Sequence, residues 1–113
     1  MFDKLTQFAG LMKNLPRLQE EVGKLRQRLG QLTAMGDAGA GMVSVTVNGR
    51  FEVVRCQLSD EALKLGDREM LEDLIRAAAN QALEKARNLV QEETGKLASG
   101  LALPSGVSLP GLD

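Results

Sequence analysis

Residues 39–58, Gly39-Ala-Gly-Met-Val-Ser-Val-Thr-Val-Asn-Gly-Arg-Phe-Glu-Val-Val-Arg-Cys-Gln-Leu58, read as a β-hairpin. Val43, Val45 and Val47 alternate with Ser44, Thr46 and Asn48, the period of two that turns one face of a strand to a core and the other to water. Asn48-Gly49 is the dipeptide best able to adopt the positive φ angles of a type I′ turn. Phe51, Val53, Val54, Cys56 and Leu58 supply the return strand, with Cys56 expected as a small buried side chain. Val53 and Val54 are adjacent and both apolar, so this strand either carries a bulge or is partly covered on both faces. A two-stranded hairpin alone is marginal in water, so the helical patterns on either side of it, or a second copy of the chain, must supply the cover.

On the N-terminal side, Phe8, Leu11, Leu15, Leu18, Val22, Leu25, Leu29 and Leu32 recur at alternating spacings of three and four, a heptad seam. Leu18, Val22, Leu25, Leu29 and Leu32 are the candidate dimer or core residues. A helix over residues 3–34 would be about 48 Å long, whereas strands of seven or eight residues span only about 25 Å. The helix therefore outruns the sheet, and an exposed line of leucines calls for another helix along it. Pro16 predicts a kink or a fresh helix start near Asn14 and Leu15. Pro16, Gly23 and Gly30 lie seven apart, either to admit a partner's backbone or as a tolerated solvent face. Residues 33–41, with Gly36, Gly39 and Gly41, read as a loop. Gly36 and Gly41 have phosphate-loop spacing, but Met42-Val43 stand where Lys and Ser or Thr are required, so this is not a P-loop.

On the C-terminal side, Ser59-Asp60-Glu61-Ala62-Leu63 reads as a capped turn, and Asp67 caps a second long helix. Leu71, Ile75, Ala78, Ala82 and Leu89 set the helical stripe, widened by Met70, Leu74 and Ala77, while the run Ala77-Ala78-Ala79 permits close packing. Asn80 is expected to be exposed. The chain divides into one α-β-α domain over residues 1–94 and a Gly/Ser/Pro/Leu-rich, irregular tail over residues 95–113.

With 113 residues, 43% of them hydrophobic and 26% charged, the composition is that of one globular domain. Three phenylalanines and no other aromatics leave the core to Leu, Val and Ala, so the single-chain core is thin and association would thicken it. The net charge of −1 hides an asymmetry: residues 1–58 hold eight Lys/Arg against five Asp/Glu, and residues 59–113 hold six against ten. There is no histidine, and Cys56 is the only cysteine. The usual general base, the commonest metal ligand and any intrachain disulfide are thereby removed. Glu72-Asp73 and Glu92-Glu93 diverge by about 100° on a helix and do not converge on a point. An enzyme is not expected, nor a cofactor or metal. No signal sequence or stretch of 18 apolar residues occurs, so the reading is a soluble, cytoplasmic protein without a membrane span.

Taken together, Gly39-Ala-Gly41-Met-Val43-Ser-Val45-Thr-Val47-Asn48-Gly49, the turn at Ser59-Asp60-Glu61, and Asp67-Arg-Glu69-Met-Leu71-Glu72-Asp73-Leu74-Ile75 followed by Ala78-Ala79-Asn80-Gln-Ala82 resemble the YbaB/EbfC family of bacterial nucleoid-associated proteins. The resemblance extends into the tail at Ala98-Ser99-Gly100-Leu101 and Leu103-Pro104-Ser105-Gly106. It implies an α+β fold, α-β-β(-β)-α, with a small antiparallel sheet and two long helices. The homodimer it implies is shaped like tweezers, with the sheets joined at the base and helices as arms, and it binds duplex DNA in the nucleoid. On that reading Lys13, Arg17, Lys24, Arg26 and Arg28, which lie off the leucine seam, contact phosphates, and the dimer coats, clamps or bends DNA. The rival reading is a helical interaction module that recruits a replication or recombination protein through the seam, the acidic half or the tail.

Overall fold

A computed structural model describes residues 2–100, with side chains from Lys4 onward. The elements are α1 (Phe2–Gln31), β1 (Thr33–Ala38), β2 (Val43–Asn48), β3 (Val53–Leu58), a single-turn α2 (Asp60–Leu63) and α3 (Arg68–Gly100). The strands form one antiparallel sheet in the order β1-β2-β3. The chain is thus α+β, with a long helix, a three-stranded sheet and a second long helix, drawn out to 70 × 23 × 16 Å.

The alternation in β2 does what its period requires. Val43, Val45 and Val47 are buried, and they pack against Ala78, Ala82 and Ala86 on one face of α3. Each buried valine contributes roughly 1.5–3 kcal/mol, and the alanines let the helix lie close to the sheet. That closeness explains β1, which the glycines of residues 33–41 had suggested was a loop. At Gly36 a Cβ would collide with the Ala78 carbonyl oxygen and lie 2.5 Å from the Ala82 nitrogen. The glycine is there to admit the helix backbone. Side chains of α3 then reach over β1: Gln81 Oε1 accepts from the Asp37 N–H at 2.8 Å, and Lys85 Nζ donates to the Met35 carbonyl at 3.0 Å.

The hairpin turn is also built differently from a two-residue type I′ turn. Residues 49–52 form a longer loop in which the positive φ, +63°, falls at Phe51, so Phe51 sits before the strand. Asn48 organises the loop: its Oδ1 accepts from the N–H groups of Arg50 (2.9 Å) and Glu52 (3.1 Å), and its Nδ2 donates to Glu52 Oε1 (2.9 Å). Gly49 is needed for a close approach. Its N–H donates to the carbonyls of Leu29 and Leu32, and a Cβ there would stand 2.6 Å from the Leu29 oxygen. Arg50 Nε donates to the Arg26 carbonyl at 3.3 Å, with its guanidinium lying over Gly30. The loop therefore satisfies the Leu29 carbonyl, one of the last four of α1 that have no donor within the helix, together with the Leu32 carbonyl just beyond it.

The expected bulge is present, because the register shifts between Thr46↔Arg55 and Val47↔Val53 and leaves Val54 as the extra residue. All six residues of β3 are exposed, which corrects the expectation of a buried Cys56: the alanine face of α3 lies over β1 and β2 and leaves β3 uncovered. Helix α1 runs unbroken through Pro16, and no fresh start occurs near Asn14. Of the glycines in the Pro16 stripe, Gly30 faces Arg50 of its own chain and Gly23 meets nothing.

The leucine seam is split. Val22, Leu25 and Leu29 are buried, the last two with Val90, Leu32 and Leu97, whereas Leu18 is only half-buried and Leu11, Phe8 and Leu5 are exposed. Ser59 Oγ accepts from the Ala62 N–H and Asp67 Oδ1 from the Met70 N–H, the two caps read from sequence. Asn80 is exposed, as expected. Helix α3 passes through Gly95 and is helical up to Gly100, the last described residue, so the irregular stretch expected from Gly95 is helical over its first six residues. Packing of Leu97 against Leu25 and Leu29, with ion pairs from Lys96 to Glu92 and Glu93, offsets the ~1 kcal/mol that a helical glycine costs. Residues 101–113, including the expected tail leucines, lie outside the described residues.

Candidate nucleic-acid interface

The seam fixes which way α1 presents its charges. With Val22, Leu25 and Leu29 turned to the core, Lys13, Arg17, Lys24, Arg26 and Arg28 are all exposed. Three of the five converge. Arg17, Lys24 and Arg28 line a cleft of about 560 Å³ between α1 and the last turns of α3, together with Glu21, Glu93 and Lys96, over the apolar side chains of Leu25 and Leu97. Lys13 and Arg26 lie outside it.

The cations of the cleft are engaged to different degrees. Lys24 Nζ is 3.6 Å from both Glu20 and Glu21, pairs that are exposed and weak, worth about 0–1 kcal/mol. Arg28 Nη2 lies 2.8 Å from Glu93 Oε2, and Lys96 Nζ lies 3.5 Å from Glu93 Oε1. The Glu93 side chain is only 13% exposed, so it sits between two cations and ties α1 to α3. Arg17 and Lys13 have no ion-pair partner among the described residues.

Four cations line the cleft with two carboxylates, Glu21 and Glu93, while Glu20 and Glu92 pair with Lys24 and Lys96 from beside it. Such an arrangement can hold an anion by charge and by several N–H donors at once, and contacts to phosphates carry no base preference. Lys96 is the cation that the sequence reading missed. The signal was present as Glu92-x-x-x-Lys96, a helical i, i+4 pair, but the glycine at position 95 had marked the start of an irregular tail. Among the described residues no group of three or more His, Cys, Asp or Glu converges to hold a metal ion, and no helix is long and apolar enough to cross a membrane.

The family model described as the YbaB/EbfC DNA-binding family matches residues 4–101. Over 102 residues the chain is 42% identical to a nucleoid-associated protein of Granulibacter bethesdensis, an alignment that covers 90% of this chain and 95% of that one. Among solved structures, an uncharacterised protein of Helicobacter pylori superposes with a TM-score of 0.65 at 26% identity, covering 84% of this chain and 96% of the other.

Proposed function

The chain belongs to the YbaB/EbfC DNA-binding family, which is not a family of enzymes, and from that premise we propose that it works as a homodimer that grips duplex DNA by its phosphates. The observation that carries the proposal is the cleft in which Arg17, Lys24 and Arg28 of α1 meet Lys96 of α3. Among the described residues Arg17 has no carboxylate to release, and Lys24 has only exposed, weak pairs to exchange for a phosphate. Lys13 and Arg26 extend the same basic half of the molecule. Contacts of this kind coat, clamp or bend a duplex with little regard to its sequence, and so influence nucleoid organisation and gene expression. The description of the Granulibacter relative as nucleoid-associated supports a place in the cytoplasm, on the nucleoid.

The dimer rests on β3. Its Val53, Val54 and Leu58 are exposed, and an open apolar edge strand is a template for pairing with another chain. The edge at β1 is already guarded by Gln81 and Lys85 of α3, so β3 is the edge at which two sheets can join.

Binding of a random-sequence duplex measured by fluorescence anisotropy at two salt concentrations tests the proposal. Affinity that falls steeply with salt supports phosphate contacts. A dimer that never binds duplex, even at low salt, moves the reading to a helical interaction module that recruits a replication or recombination partner.

A further inference from the structure

The half of α1 that precedes Leu18 carries a seam that no other described residue covers. Phe8 and Leu11 remain 61% and 47% exposed, and neither belongs to the packed clusters that take up Leu25 and Leu29. We propose that this half pairs antiparallel with the same half of a second copy of the chain, as a two-stranded coiled coil that is separate from the β3 edge.

Three observations agree on that occupant. The first is the register. A two-fold axis perpendicular to the helix sets Phe8 against the partner's Leu18 and Leu11 against the partner's Leu15, so every seam residue from Phe8 to Leu18 gains an apolar counterpart. The second is charge. The same register flanks the seam with Met12 opposite its own copy on one side, with Asn14 opposite its own copy and Gln7 opposite the partner's Glu21 on the other, and it sets Lys4 at the end of the seam, across from the partner's Val22 and near that glutamate. No like-charged pair faces another. Lys13 and Arg17 fall on the outer positions of the heptad, away from the pair. The third is shape. A groove of about 270 Å³ runs along α1 and is lined by Leu15, Leu18, Gln19, Val22, Gly23 and Arg26. The register carries the partner's Phe8 and Leu5 to that groove, and among the described residues nothing beyond the backbone of α1 itself lies within 4 Å of where a Cβ on Gly23 would stand.

A parallel pairing offers less. It would bring Lys4 against Lys4 within the seam and Phe8 against Phe8, and the groove at Leu18 and Val22 would receive only its own copy.

The test is disulfide trapping in the full chain, in a Cys56→Ser background so that the exposed cysteine does not interfere. Phe8→Cys and Leu18→Cys are oxidised separately and as a mixture. The mixture is expected to link about tenfold faster than either variant alone, because a disulfide needs Cβ atoms within about 4.5 Å. Adding Leu11→Glu to both variants should abolish the difference while the far-ultraviolet circular dichroism stays that of the folded chain, since Leu11 is in neither core cluster. A mixture that fails to link at micromolar concentration, or either variant linking alone as fast as the mixture, overturns the antiparallel contact. The readout uses no DNA, so its failure leaves the phosphate-binding reading standing, and the reverse also holds.

Discussion

Replacing Gly36 with alanine adds one methyl group at the tightest point of the molecule. The new Cβ would run into the Ala78 carbonyl oxygen, lie 2.5 Å from the Ala82 nitrogen and 3.0 Å from Gln81 Cβ. Two of these three are helix backbone and cannot turn aside as a flexible side chain would. Reaching ordinary contact distance requires α3 to lift from the sheet by about 1 Å, which loosens Val43, Val45 and Val47 against Ala78, Ala82 and Ala86 together. Overpacking of a well-filled core costs typically 1–3 kcal/mol, and loss along a whole helix face puts this case at about 3 kcal/mol. At roughly 4 °C of melting temperature per kcal/mol, the midpoint should fall by about 12 °C. Gly95→Ala is the matched control: the same chemical change, in α3, with nothing within 4 Å of the added carbon. It should stabilise by about 0.5–1 kcal/mol, the ordinary helical preference for alanine. Urea titration of both variants, followed by circular dichroism, gives the comparison. Equal and small effects would refute the reasoning, because they would mean that α3 does not rest on β1 at the distance described.

Arg17→Ala, Lys24→Ala and Lys96→Ala should each weaken duplex binding regardless of sequence and lower the slope of log affinity against log salt by about 0.9, or about twice that if both subunits touch one duplex. Arg87→Ala, which is outside the cleft, serves as the control; a slope that changes for Arg87 and not for the others would place the contact surface elsewhere. Leu29→Asp should cost several kcal/mol by putting a carboxylate among Leu25, Val90 and Leu97, whereas Leu29→Met should cost less than about 1.5 kcal/mol; similar chemical-denaturation midpoints would show that the seam there faces water. Asp67→Ala removes the acceptor of the Met70 N–H and should cost about 1 kcal/mol, with hydrogen exchange quickening in the first turn of α3; unchanged exchange there would show the cap to be idle.

What could be read in the sequence was whatever depends on a local period or a local cap. Val43, Val45 and Val47 announced β2 by alternation, Val53-Val54 announced the bulge, and Ser59 and Asp67 announced the helix starts. What could not be read depends on residues distant along the chain. Strand β1, Thr-Ala-Met-Gly-Asp-Ala, holds a glycine where local preference argues against a strand, and only the backbone of α3, more than forty residues later, explains it. Asn48-Gly49 was recognised as turn chemistry, but the use made of Gly49 is set by the end of α1. Three cations of the cleft were legible as an off-seam face of α1. Lys96 was not, since its membership depends on α3 meeting α1 at Glu93.

The unequal edges of the sheet set how far it can grow. In the language of polymer chemistry, a strand layer open at both sides is a bifunctional monomer and adds units without end, as in amyloid ribbons. Gln81 and Lys85, by occupying backbone groups of β1, act as chain terminators for the sheet and leave it with one open edge, β3. In the proposed dimer, such a sheet couples once at β3 and extends no further. Two side chains outside the cleft thus limit the growth of the sheet, and replacing both, Gln81→Ala with Lys85→Ala, should lower solubility, which sedimentation of concentrated samples would measure.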